Sequence, residues 1–154
     1  VALVDIRTAI RTAMLTVANV GPVTAYEPFV RRQEDFKTFF KDGALAYIQG
    51  WTITREASPE RMRDAAHTNE RTHVMVIRGY RAIDQDAVNP SEPAFQDLIE
   101  AVCNTLRAKE NDQLDGTCLT CGPPSVRIFD PRAFGEFHVH YVEIAYPVTE
   151  PKSF

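Results

Sequence analysis

The side chains best suited to chemistry are two cysteines, Cys118 and Cys121, and two histidines, His138 and His140. Two thiolates two residues apart, joined by two imidazoles, are a ligand set for tetrahedral zinc, and the cysteine spacing is that of a metal knuckle. The histidines stand at i and i+2, which puts both on one face of a strand and strains their joint ligation of one ion. The plainer reading, and the favoured one, is a loop with two incidental cysteines and a strand with two surface histidines. A thiol nucleophile would need Cys118 or Cys121 beside a histidine and an orienting carboxylate such as Asp115, and nothing in the spacing makes these converge. The chain has no Gly-X-Ser-X-Gly elbow, no phosphate-binding glycine loop and no His-Glu-X-X-His. Paired carboxylates (Glu34 with Asp35, Glu110 with Asp112) lie in polar stretches and read as solvated charge. The sequence predicts no catalytic residue, no cofactor and no bound metal.

The elements that would carry these groups are an ordinary globular set. At 154 residues, 44% hydrophobic and 25% charged, the chain reads as one domain, residues 1–154, with a single core. No apolar run approaches the roughly 18 residues needed to cross a bilayer. The opening Val1-Ala-Leu-Val-Asp-Ile-Arg lacks the basic and apolar regions of a secretion signal. Three cysteines, an odd number, make a poor disulfide framework and fit a reducing cytoplasm. A net charge of -4 argues against general DNA binding, which needs a basic surface.

Along the chain, Leu3, Ile6, Ile10, Met14 and Val17 form one helical stripe over residues 2–18, stopped by Gly21-Pro22. Phe36, Phe39 and Phe40 predict a short helix over 32–41. Residues 44–56 alternate, with Leu45, Tyr47, Trp51 and Ile53 on the buried side, and Gly50 is placed for a bend or bulge. Residues 57–69 and 110–124 read as polar, charged arms. A long strand over 72–84, apolar on both faces, belongs inside the sheet. Ser91 is the expected N-cap of a helix over 91–109, whose stripe is Phe95, Leu98, Ile99, Val102 and Leu106. Strands over 125–130 and 135–147, with a turn at Pro131-Arg132-Ala133, complete an α+β fold: a mostly antiparallel twisted sheet, helices on one face, and extended charged loops.

Basic residues gather around the long strand: Arg61, Arg63, Arg71, Arg78 and Arg81, with Tyr80 among them. A stacking platform for nucleic acid needs several interleaved aromatics on one exposed face, and Arg78 with Tyr80 is a single pair. Rim and intersubunit salt bridges are the better reading. Arg55, Arg61, Arg63, Arg71, Arg78, Asp112 and Asp115 are the candidate interface residues.

The segments Trp51-Thr-Ile-Thr-Arg, Thr72-His-Val-Met-Val-Ile-Arg-Gly-Tyr, Phe95-Gln-Asp-Leu-Ile-Glu-Ala-Val and His140-Tyr-Val-Glu-Ile-Ala-Tyr-Pro-Val follow an N-terminal helix. In that order they resemble the tail terminator proteins of long-tailed bacteriophages over nearly the whole chain. The resemblance implies a virion protein without enzymatic activity, made in the host cytoplasm and sited at the tail-neck junction. Its implied partners are copies of itself in a hexameric ring, the tail tube protein, and a neck or head-completion protein. DNA would pass through the lumen without specific binding. A head-closure or connector adaptor role is the neighbouring alternative, and a small zinc- or thiol-dependent enzyme using Cys118, Cys121, His138 and His140 is the alternative from another class.

Overall fold

The computed structural model describes residues 3–26, 48–62, 68–83, 90–134 and 137–153. The helix expected over 32–41 and the candidate Arg63 lie outside the described residues. The elements are α1 (Leu3–Met14), β1 (Val23–Thr24), β2 (Gln49–Ala57), β3 (Glu60–Met62), β4 (Thr68–Ala82), α2 (Ser91–Ala108), β5 (Thr120–Cys121), β6 (Ser125–Phe134) and β7 (Phe137–Ser153). They form the expected α+β arrangement. One sheet runs β1-β2-β4-β7-β5, with β3 also on β4 and β6 also on β7. Every pairing is antiparallel except that of β1 with β2.

The core lies between the helices and one sheet face. Ile6, Ile10 and Met14 of α1 and Phe95, Ile99, Val102 and Leu106 of α2 meet Trp51, Ile53, Met75, Ile77, Val142, Ile144, Tyr146 and Val148. The sheet residues keep one parity along each strand, as a pleat requires. Trp51 sits opposite Gly79 on β4. A Cβ at Gly79 would land in the Trp51 ring and 2.8 Å from Val142 Cγ1, so the glycine makes room for the largest buried side chain. The indole Nε1 then donates to Val20 O at 2.8 Å, and the amide of buried Gln49 donates to Asn19 O and Val20 O at 2.8 and 2.7 Å. These bonds pin the exit of α1 to β2.

Several boundaries differ from expectation. α1 ends at Met14, well before Gly21-Pro22. The Thr16 hydroxyl donates to Ala13 O at 2.7 Å, and the Thr16 and Val17 amides turn to carbonyls three residues back, so the helical ladder stops there. Gly50 stays in regular register, and the bulge falls instead between Arg55 and Ala57. The expected turn at Pro131-Arg132-Ala133 is strand, because β6 is an outer strand that tolerates a proline. β7 likewise runs past Pro147. The Pro147 carbonyl accepts from Gly122, so its ring nitrogen faces the same side, in the gap between β5 and β6 where no ladder bond is lost.

Neither expected arm is a free loop throughout. Glu60–Met62 pairs with β4 in a hairpin. Within 110–124, Leu114 is fully buried and joins Cys118 and Cys121 in the core cluster. Residues Gln113, Leu114, Asp115 and Gly116 have φ of 55°, 55°, 57° and 78°, a short left-handed turn. Each non-glycine residue there costs on the order of 1–3 kcal/mol of backbone strain, which the buried Leu114 helps to hold. Replacement Gly79→Ala should destabilise the fold by about 2 kcal/mol through overpacking against Trp51, read as a lower urea midpoint at unchanged slope. An unchanged midpoint would mean that the ring has room to move.

Candidate functional site: an ionic sheet face and a projecting tongue

The fold separates the four candidate metal ligands. Cys121 pairs with Val148, whereas His140 lies eight residues earlier on β7, opposite Pro131 and Arg81. At about 3.3 Å per residue the cysteines and histidines are roughly 26 Å apart. They cannot share an ion. Among the described residues no other group of histidine, cysteine or carboxylate side chains is arranged to hold a metal.

Each pair has a local role instead. His138 is exposed. The His140 ring forms a triangle with Phe95 and Phe129, whose centroids are 6.3 and 6.2 Å from it and 6.2 Å from each other, and burial holds its pKa below the usual value. Its Nε2 is 2.8 Å from Ser91 Oγ. Ser91 therefore does not cap α2 as expected. Pro90 holds the N-cap position with no side-chain bond, and Ser91, 1% exposed, fastens the helix start to β7. A serine-histidine pair invites a nucleophilic reading, but a hydroxyl this enclosed offers a substrate no approach.

The sheet face turned away from the helices carries the densest polar network. Its contacts run from Thr54 through Arg78 and Glu143 to Arg127. Arg78 donates to Thr54 Oγ1 at 2.6 Å and its Nε lies 3.4 Å from Glu143 Oε1. Arg127 Nε is 3.2 Å from Glu143 Oε2, and the Tyr141 hydroxyl donates to Glu143 Oε1 at 2.6 Å. Arg127 also reaches Glu56 at 2.7 Å. Both residues of that last pair occupy bulges, Glu56 between Arg55 and Ala57 and Arg127 between Val126 and Ile128. A bulge re-aims a side chain, and here two of them point β2 and β6 at each other across the intervening β4 and β7. The Tyr80 ring packs on Tyr141 at a tilt of 48° with centroids 5.3 Å apart, and Arg132 lies 4.6 Å over the Tyr141 ring while bridging Asp130 at 2.8 Å. Tyr80 is thus packed and 9% exposed, which removes it as a stacking platform.

Burial pushes the Glu143 carboxyl upward, but its bonds from Tyr141 and Arg127 outweigh that and hold it below the usual 4.5. Burial, with the bond to Glu143, pushes the Tyr141 phenol well above its usual value. What this face offers is a fixed, charge-balanced surface with every acid and base already matched.

Beyond the helices the sheet continues as a three-stranded tongue. β3 pairs with Asn69–Arg71, and Thr68–Arg71 pairs with Glu150–Ser153. Arg61 bridges Glu70 at 2.6 Å and Arg71 bridges Glu60 at 2.9 Å. Met62 is 78% exposed on its outer strand. At the tongue's root, His73 and Glu150 are each 1% exposed and bond at 3.0 Å, with Arg55 Nη1 3.4 Å from His73 Nδ1. A guanidinium only donates, so Nδ1 accepts and Nε2 carries the proton toward Glu150. Of the candidate interface residues, Arg61 and Arg71 therefore lie on the tongue and Arg55 at its root. Arg78 lies in the ionic face. Asp112 and Asp115 both bridge Lys109, at 3.5 and 2.9 Å, beside the left-handed turn.

The chain matches no protein-family model and no curated protein. No helix among the described residues is long and apolar enough to cross a membrane.

A carboxyl held below its unfolded pKa adds stability above that value and loses it as pH falls through the folded one. Stability measured from pH 6 down to pH 3 should therefore fall more steeply in the native protein than in Glu143→Gln, which cannot titrate there. Parallel curves would show that Glu143 gains nothing from its partners.

Proposed function

We propose that this chain is a structural subunit of a phage-type tail, closing the head-side end of the tube as a ring of identical copies. The tongue carries this reading. It extends backbone-paired strands beyond the helical cover and presents Met62 and a charged ladder on both sides. Its outer strand Glu60–Met62 is exposed along its whole length, although Thr68–Arg71 beside it is half-buried and Glu150 is buried. An exposed outer strand offers backbone groups and side chains that another chain can pair with or cover.

A ring of one chain needs a heterologous contact, in which two different patches of the same surface meet. The tongue lies at one end of the 15-residue β4, and the α2 start lies near the other, about 40 Å away, so the two ends cannot meet within one copy. The outer strand β6 favours orderly contact over indiscriminate pairing. Pro131 lies within it without breaking its pairing to β7 and supplies no amide donor, and Arg127, Asp130 and Arg132 line it with charge. The net charge of -4 suits a lumen through which DNA slides without sticking, and the partners are then the tail tube protein on one side and a neck protein on the other.

Electron micrographs of particles made without the chain test the reading. Tubes of irregular, excessive length, or tails without heads, are expected. Tails of normal length joined to heads would reject it.

A further inference from the structure

We propose that Cys118 and Cys121 form a reversible redox-modification site, closing to a local disulfide by exchange with a low-molecular-weight disulfide. All three cysteines are free thiols, but they are not equivalent. Cys103 is packed in the middle of α2. Cys118 and Cys121 are separated by two residues, Cys118 just before β5 and Cys121 at its end, and are 8% and 6% exposed.

Their thiols are held by the same structure. The Cys121 Sγ donates to Lys109 O at 3.3 Å, just past the end of α2, and the Cys118 Sγ donates to Gln113 O at 3.3 Å, in the left-handed turn. These carbonyls also accept backbone bonds, from the Leu114 amide at 3.0 Å and the Cys118 amide at 3.2 Å. The thiols thus share in satisfying the carbonyls that shape the turn. Burial first, and then the neighbouring Cys121, push the Cys118 pKa up to about 12. Cys118 is consequently protonated and slow to react while the turn is closed.

The strained run Gln113–Gly116 is the natural point of opening. Its exposed ties are the Asp112 side chain on the Asp115 amide, the Lys109 bridges, and the Gln113 amide on Leu119 O at 2.9 Å. In the exchange, one cysteine thiolate attacks a sulfur of the small disulfide and expels one thiolate. The second cysteine then attacks the resulting mixed disulfide and expels the other. Two protein thiols are oxidised, one small disulfide is reduced to two thiols, and the two protons end on those products. Afterwards neither sulfur can donate to Lys109 O or Gln113 O, so the turn loosens.

The test incubates the native protein with glutathione disulfide and follows it by thiol counting, peptide mapping and amide exchange. Free thiols should fall from three to one, with Cys103 remaining and Cys118 linked to Cys121. Dithiothreitol should restore all of them. The Leu114 and Cys118 amides should exchange at least several-fold faster in the oxidised form. Thiols that react only in urea, glutathione adducts that persist on single cysteines, or unchanged exchange after oxidation would each overturn the proposal.

Discussion

The unbroken pairing of β4 with β7, from Thr68↔Ser153 to Ala82↔Val139, is the constraint on which the other features depend. A slip of one residue would turn over one strand relative to the other, carrying either Met75 and Ile77 or Val142, Ile144 and Tyr146 from the helices to the opposite face and bringing Arg78 or Glu143 in their place. The burial cost of that exchange fixes the register. Once fixed, it places Gly79 beside Val142 and beneath Trp51, and it sets Arg78 opposite Glu143. Because both strands outlast the helices, the same pairing also produces the tongue.

The two sheet faces are held by different physics. The helix face is ordinary apolar burial with one tight fit at Trp51. On the other face, Val76 and Val139 are fully buried beneath a network of guanidinium, carboxylate and phenol groups. Its outermost bridge, Arg127 with Glu56, is partly open to solvent and contributes little by itself. Glu143 is the consequential member, since an enclosed carboxylate stripped of its partners would be costly. The bulges that aim Arg127 and Glu56 make this a face of defined shape.

Local pattern made much of this legible. The stripe of α2 and the alternation of Trp51 and Ile53 against Thr52 and Thr54 predict the faces that meet in the core, because helix and strand periods act at short range, but they do not predict that Thr52 on the opposite face is buried too. The failures involve partners distant in sequence. Arg127 and Glu56 are 71 residues apart, and only the four-strand order brings them together. Ser91 reads as a cap until His140 arrives across 49 residues to take its hydroxyl. The 110–124 stretch reads as polar because its part of the core cluster is only Leu114, Cys118 and Cys121, and a left-handed turn has no apolar period. For the candidate site, the arginines were visible as a group, but their carboxylate partners were not.

In the proposed ring, the exposed strand Glu60–Met62 is the part of the tongue that a neighbouring copy would cover. Cryo-electron microscopy of the head-tail junction in intact particles tests this most directly. The account predicts a closed ring of this fold at the tube's upper end, with each Glu60–Met62 strand packed on the adjacent copy or on the tube. A ring in which Met62 remains in solvent, or a junction in which this fold does not occur, would contradict it.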